Sequence, residues 1–381
     1  MTQRPRKIVY VTTGFRVGGA EGMLARLVTA EPRLADEIIV VSLLPAEAYV
    51  ERLRAAGVAV VELGFDRLSG ILPGLMKLAR LIARERPDIV QGWMYHGDLA
   101  ALIALVLSGR RRRTRLLWSL RCSELDLRRY GFSLRLAVRA STTLSRWPDL
   151  ITANSAAGLK AHLLLGYRPR RAEIIANGID IEAFKPDPAA RSAVRNELGI
   201  SEETLVLAHV ARVDPMKDHQ SFLVALAQLP EIVAFLVGSG TEKLPPSANI
   251  VRLGRRDDIA RLLAAADVVV SSSSFGEAFS NVIAEGMACG LPAIATDVGD
   301  ARSIIGDAGV VVPVSDPAAL AAAIRALAAE SRTARHRRGE RARARILENF
   351  SLPQAVDRYR ALYRSVLAHS LPGAKGWGAV R

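Results

Sequence analysis

At 381 residues the chain is too long for one compact domain of ordinary size and comfortable for two. Its make-up, 50% hydrophobic and 24% charged with 29 Gly and 18 Pro, excludes a disordered, collagenous or coiled-coil protein, and its two distant cysteines, Cys122 and Cys289, exclude a disulfide framework and a zinc ribbon. The net charge of +14 is uneven, with 29 basic against 17 acidic residues over 1–185, 11 against 18 over 186–330 and 12 against 3 over 331–381, so a polyanion or an anionic leaflet is drawn to the first part and not to the middle.

The amino terminus passes from Arg4-Pro5-Arg6-Lys7 straight into a strand-like run at 8–12, without the apolar stretch and cleavage site of a signal peptide. The longest apolar run, 99–107, is far short of the roughly 20 residues a membrane-spanning helix needs. The expected location is the cytoplasm, with peripheral contact to the inner face of the plasma membrane left open.

Further strand-like runs follow at 38–43, 58–63, 88–94, 116–120, 150–154 and 173–176, separated by Ala-, Leu- and Arg-rich stretches such as 75–85 and 156–165 that suit helices. Turn formers and two prolines cluster between Asn177-Gly178-Ile179-Asp180 and Lys185-Pro186-Asp187-Pro188, and the alternation restarts at 205–211, then 233–237, 250–253, 267–271, 293–296 and 310–313. Asp316-Pro317 opens a helix with Pro at its first position. Alternating strands and helices predict parallel sheets covered on both faces. The expected fold is therefore α/β, two doubly wound Rossmann-like domains facing across a cleft, with ligands beyond the carboxyl ends of the strands. The expected units are 1–185, 186–350, a final helix at 351–369 and a tail at 370–381.

Four segments carry possible chemistry. The richest is Ser271-Ser272-Ser273-Ser274-Phe275-Gly276-Glu277-Ala278-Phe279-Ser280-Asn281-Val282-Ile283-Ala284-Glu285, which reads as strand, small-residue loop and helix. A helix amino terminus beside a strand's carboxyl end offers free N–H groups and partial positive charge to a phosphate. Glu277 and Glu285, with seven residues between them, can accept hydrogen bonds from vicinal hydroxyls, as on a sugar, or can be a solvated loop acid and a surface helix acid.

Arg212 and Lys217 follow the strand at 205–211, where a planar fork and a mobile point charge can clamp a diphosphate, although Asp214-Pro215 also marks an ordinary turn. Gly18-Gly19 lie in a loop that has neither G-x-G-x-x-G spacing nor a Walker lysine but permits close backbone approach. His96 follows the strand at 88–94, where a histidine is either structural or cleft-facing. Asp257-Asp258 reads as capping acids of a helix, and no Asp-x-Asp metal site is evident.

Taken together, Phe275-Gly276-Glu277 through Glu285-Gly286-Met287-Ala288-Cys289-Gly290-Leu291-Pro292, the Arg212–Lys217 pair, the Gly18-Gly19-Ala20-Glu21 loop, Trp93-Met94-Tyr95-His96 and Asn177-Gly178-Ile179-Asp180 resemble, in order and over nearly the whole chain, the retaining glycosyltransferases of family 4. The resemblance implies the GT-B fold, an acceptor-binding first domain, a nucleotide-sugar-binding second domain and a last helix crossing back to the first. It implies that Arg212 and Lys217 hold the donor diphosphate, that Glu285 takes the ribose hydroxyls, and that Glu277 contacts the transferred sugar. The backbone of Phe279, Ser280 and Asn281 would contact sugar and phosphate, Gly18 and Gly19 the diphosphate, His96 the reacting carbon's neighbourhood and Leu253-Gly254-Arg255 the base. Transfer would run on one face of the sugar with no metal and no cofactor beyond the donor. One departure stands out: Asp300-Ala301-Arg302-Ser303 replaces the Gly and Glu that many relatives carry after Asp297-Val298-Gly299.

Between Arg110 and Arg146 eleven arginines meet two acids, with Trp118, Tyr130, Phe132 and Trp147 in or beside the stretch. This field suits an anionic membrane surface and a lipid-linked or cell-surface glycan acceptor, or it follows from an arginine-rich composition. The run from Arg332 to Arg345 reads as a solvated helix face. Nucleic acid is not an expected partner, for no recognition module is visible. Two rivals keep the fold: a nucleotide-sugar epimerase and a nucleotide-sugar binder without catalysis. The base (uridine or guanosine), the sugar and the acceptor stay open.

Overall fold

The computed structural model describes residues 6–15, 18–30, 37–45, 49–65, 68–123 and 131–368. The expected tail at 370–381, Arg16 of the glycine loop, and Arg128, Arg129 and Tyr130 lie outside them.

In chain order the first half comprises β1 (Lys7–Thr12), α1 (Gly19–Ala30), β2 (Glu37–Ser42), α2 (Val50–Ala55), β3 (Ala59–Glu62), α3 (Leu68–Glu85), β4 (Ile89–Trp93), α4 (Tyr95–Leu107), β5 (Arg115–Leu120), α5 (Phe132–Leu144), β6 (Leu150–Ala153), α6 (Ala156–Leu164) and β7 (Ala172–Ile174). The second half follows with α7 (Pro188–Glu197), β8 (Val206–Val210), α8 (His219–Leu226), β9 (Val233–Val237), β10 (Ile250–Gly254), α9 (Ile259–Ala265), β11 (Val268–Ser271), α10 (Asn281–Ala288), β12 (Ala293–Thr296), α11 (Ala301–Ile305), β13 (Gly309–Val312), α12 (Pro317–Ala329), α13 (Arg332–Asn349) and α14 (Leu352–Ala368).

The β-branched runs pair, all in parallel, into a seven-stranded sheet of order β3-β2-β1-β4-β5-β6-β7 and a six-stranded sheet of order β10-β9-β8-β11-β12-β13. Each order reverses beside its first strand, between β1 and β4 and between β8 and β11, which opens a crevice at the carboxyl ends. Central strands of such sheets are buried on both faces, and β4, β5 and β12 are buried at every position.

The last helix packs where the resemblance puts it. Tyr359 and Tyr363 of α14 are fully buried in the core under β1 and β4 of the first sheet, alongside Val356, Leu362 and Val366. The chain's second passage between domains is bonded to its first, for Ile179 N donates to Phe350 O (2.8 Å) and Leu352 N to Ile179 O (2.8 Å).

A buried polar chain fixes α14 to the sheet. Tyr363 Oη donates to Gln91 Oε1 (2.7 Å), so Tyr10 Oη, 2.7 Å from Tyr363 Oη, is the donor in that pair. Gln91 Nε2 donates to Ser119 Oγ (2.7 Å), whose own proton goes to Thr152 Oγ1 (2.8 Å), and Thr152 donates to Trp118 O. Every hydroxyl proton in the chain has an acceptor, as a buried polar network needs if it is to stabilise a core.

Two local readings change. Asp258 stands at the N-cap of α9, but its carboxylate makes no cap bond and holds Arg256 and Arg261 instead, because charged forks 2.7–3.1 Å away outcompete neutral amides. The Arg332–Arg345 run is not a wholly solvated face. Arg335 donates to carbonyls at the end of α12, Arg343 to Ala288 O and Phe184 O, and Arg345 to Ser303 O and Ile304 O. These guanidinium groups satisfy carbonyls that helix ends leave open.

Candidate active site

Between the two sheets lies a cavity of about 660 Å³. Its floor in the second domain comes from the loop after β11 and the start of α10. Gly276 takes φ +80°, turning the loop so that Glu277 faces inward. Glu277 Oε1 accepts from Lys217 Nζ and from Ser273 Oγ (3.1 Å). Lys217 ends a single 3₁₀ turn, Pro215–Lys217, capped by Asp214, whose carboxylate accepts from Met216 N (2.9 Å). Asp214 also holds Arg212 through Nε and Nη2 at 3.2 and 3.0 Å. Burial alone pushes the Asp214 carboxyl up, but the Met216 amide and Arg212 outweigh it and hold the group below its ordinary value.

Glu285 sits one turn into α10, 9% exposed, with Oε1 3.8 Å from Arg26 Nη1 of α1. Burial raises its carboxyl pKa, and Arg26 opposes the rise. At the head of α10 the Ser280 side chain makes no cap bond, so the helix's leading amides turn to the cavity without a side-chain acceptor. Phe279 lines the cavity but buries its ring against Phe350.

From the first domain come Gly18, Gly19 and Glu21 at the start of α1. The loop's Ala20 carbonyl is held by Trp93 Nε1 (3.0 Å), and a Cβ on Gly19 would meet Asn281 Nδ2 of the opposite domain at 2.9 Å. A side chain at this position would thus displace the Asn281 amide. Asn281 is a cross-cleft link, its Oδ1 accepting from Asn177 Nδ2 (2.8 Å). Burial raises the Glu21 carboxyl, opposed in part by Arg212 across the cavity.

Of the residues singled out by sequence, Gly18, Gly19, Arg212, Lys217, Glu277, Phe279, Ser280, Asn281 and Glu285 share this one cavity. His96 and Leu253 are not among its walls. Met94 takes φ +69° at the start of α4, and His96 then sits at the helix's second position, with Nε2 3.1 Å from Ser133 Oγ of α5. Burial lowers the His96 pKa, with a hydrogen bond to Ser133 opposing. Leu253 packs into the second domain's core, while Arg255 and Arg256, just beyond β10, reach the cavity.

Sequence reasoning missed Arg26, Tyr49, Met94 and Arg121 as cavity residues. Arg121 is 8% exposed, stacks 3.7 Å over the Trp93 ring and bonds Asn177 Oδ1 and Tyr359 Oη. Its place just after a strand's carboxyl end was the available signal. Among the described residues, no group of three or more His, Cys, Asp or Glu is disposed to hold a metal ion.

The basic stretch is not one continuous face. Arg115, Arg121 and Trp118 are buried, and Arg111 is tied to Asp149 and Trp147 O. Arg112, Arg113, Arg135, Arg139 and Arg146 stay exposed, and α5, which carries Arg135 and Arg139, also exposes Phe132 (72%) and Leu136 (56%). No described helix is long and apolar enough to cross a membrane.

Residues 17–183 match the family described as Glycosyltransferase Family 4, and residues 204–330 that described as Glycosyl transferases group 1. Among characterised relatives, N-acetyl-alpha-D-glucosaminyl L-malate synthase of Bacillus anthracis is 30% identical over 309 residues, 76% of this chain and 78% of its own. The D-inositol 3-phosphate glycosyltransferase of Geodermatophilus obscurus is 35% identical over 204 residues, 47% of this chain and 44% of its own. In fold the chain is similar to HepE of Anabaena, whose crystal structure contains UDP and glucose (TM-score 0.83, 24% identity, 94% of this chain and 100% of that one). It is also similar to WaaG, a glycosyltransferase involved in lipopolysaccharide biosynthesis (TM-score 0.66, 19% identity, 94% and 99%). With two parallel-sheet domains, a returning last helix and both glutamates in the intervening cavity, the chain belongs to family 4 of the glycosyltransferases and has the GT-B fold.

Proposed function

We propose that this protein moves a sugar, with retention of configuration and without a metal, from a UDP- or GDP-linked donor to a hydroxyl of a lipid-linked or cell-surface glycan precursor. The observation that carries the reading is the convergence of Lys217, Arg212, Glu277 and Glu285 on one interdomain cavity, together with the amino terminus of α10.

In this reading Glu285 accepts the ribose hydroxyls, and Arg212, Lys217 and the α10 amides face the diphosphate. As the bond between anomeric carbon and phosphate oxygen breaks, negative charge grows on the diphosphate. Fixed cations already aimed there stabilise that charge more than the ground state, which is where the largest catalytic term usually arises. The acceptor oxygen bonds the anomeric carbon on the face the diphosphate leaves, and the hydroxyl proton passes to the departing phosphate. Glu277, kept in place by Lys217 and Ser273, contacts the transferred sugar.

A membrane-borne acceptor is supported by the exposed arginines and apolar residues of α5 in the first domain. The malate synthase among the relatives argues for including small hydroxy acids in the search.

The test is turnover with a panel of UDP- and GDP-sugars and with lipid-linked, malate and inositol phosphate acceptors, in parallel with nucleotide-dependent thermal shifts. Wild type should turn over with one base, and Lys217→Ala should lose about 10²–10³ in kcat. No shift with any nucleotide and no turnover would refute the reading. Co-sedimentation with anionic but not zwitterionic vesicles, lost on changing Arg135 and Arg139 to Glu, checks the membrane part.

A further inference from the structure

The one departure from the family pattern, the segment beginning at Asp300, lies on the interface between the domains. Asp300 occupies the N-cap position of α11, where an aspartate ordinarily accepts bonds from its own helix, yet it makes none there. Its carboxylate instead crosses to the first domain. Oδ2 accepts from Ala156 N at 2.8 Å and Oδ1 from Ala157 N at 2.9 Å.

These are the first two amides of α6. The third, Gly158 N, goes to Ser155 Oγ, the helix's own cap (2.8 Å). The leading turn of α6 is therefore completed by a charge borrowed from the other domain, placed where the helix dipole favours an anion.

The same residue grips the catalytic loop. Asp300 N donates to Ala278 O at 2.9 Å, next to Glu277, whose carbonyl accepts from Ser123 Oγ of the first domain. Gly299, at φ +62°, packs so tightly that a Cβ there would collide with the Glu277 and Ala278 carbonyls. Three elements thus meet at one residue: α6 at the Asp300 carboxylate, the Glu277 loop at its main-chain N–H, and α11, which it begins.

We infer that Asp300 is a positioning residue, whose carboxylate docks on the amino terminus of α6 as the domains come together and sets Glu277 against the first domain. The inference rests on the transfer reading for its kinetic consequence and on the interface alone for its structural one. Opening the cleft returns the α6 amides and the carboxylate to water, so the bidentate contact favours the closed arrangement.

The test uses the full chain with Asp300→Ala, Asp300→Asn and Ala156→Pro. Proline suits the first helical position, and Ser155 is already extended (φ −157°, ψ 154°), so Ala156→Pro deletes one donor while preserving the helix start. Asp300→Ala should lower kcat/KM roughly ten- to hundredfold, the worth of hydrogen bonds to a charged group, with Asp300→Asn between it and wild type. Ala156→Pro added to Asp300→Ala should cost nothing more, since the one bond that proline deletes is among the two already lost with the carboxylate.

X-ray scattering of the ligand-free proteins should give a larger radius of gyration for Asp300→Ala than for wild type. An unchanged radius, a kcat/KM within twofold of wild type, or losses that multiply in the double variant would overturn the inference. If wild type turned over no sugar nucleotide at all, the transfer reading would fall, and scattering alone would decide whether Asp300 docks the domains.

Discussion

Removing the Tyr363 hydroxyl measures how firmly the returning helix is tied to the first domain. In Tyr363→Phe the ring stays and the fully buried Gln91 Oε1 loses its donor, while Tyr10 Oη loses this partner. Orphaning one buried acceptor costs about 1–3 kcal/mol and losing one further hydrogen bond about 1 kcal/mol, or about 2–4 kcal/mol together. For a domain of this size that lowers the unfolding midpoint by roughly 5–15 °C, measurable by calorimetry. Gln91→Leu in the same background removes the orphaned acceptor, so the double variant should be more stable than the sum of the single losses by about 1 kcal/mol or more. A Tyr363→Phe variant within about 0.5 kcal/mol of wild type, or strictly additive losses, would refute the polar chain as drawn.

Glu285 predicts a stability–function trade. Its folded pKa is raised by burial, so its contribution to stability is present below the unfolded value and lost as pH rises through the folded one. The midpoint of wild type minus that of Glu285→Gln should therefore fall as pH rises above the ordinary carboxylate range, while donor affinity drops in the variant; a flat difference would count against the buried carboxylate. Gly299→Ala places a side chain at φ +62° against the Glu277 and Ala278 carbonyls. Strain of about 1–2 kcal/mol plus the clash should displace the loop and lower kcat at least tenfold; unaltered kcat would mean the loop tolerates the shift.

The strands were legible because β-branched runs with turn formers between them can pack in few other ways, and every strand expected from 8–12 to 310–313 is present with ends shifted by a residue or two. The glutamate pair was legible because loop and helix are contiguous in sequence. What the sequence hid lies in the third dimension. The interdomain bonds of Arg26 and Asn281, and the bond of Arg121 to Asn177 within the first domain, join residues that no local pattern relates. His96 was expected at the cleft because it follows a strand, but the first turn of α4 carries it to the flank beside Ser133. Of the Leu253-Gly254-Arg255 segment, Leu253 falls on the core side of β10, where side chains alternate between faces, while Arg255 past the strand's end lines the cavity. A charge count treats all arginines alike, whereas Arg115, Arg121 and Arg195 are buried and bonded.

The placement of α14 also bears on the order in which a newly made chain acquires its cores. The first seven strands leave the ribosome by Ile174, yet Tyr359, Tyr363 and Val366, which complete the core beneath β1 and β4, follow roughly 190 residues later. At about 5–20 residues per second that is a delay on the order of 10–40 s. The second domain, whose buried clusters draw on residues from Ile179 to Ile346, is fully synthesised before the first has its last helix. Synthesis thus begins with one domain and finishes the other, and the earlier half waits with an apolar groove open to whatever holds nascent chains.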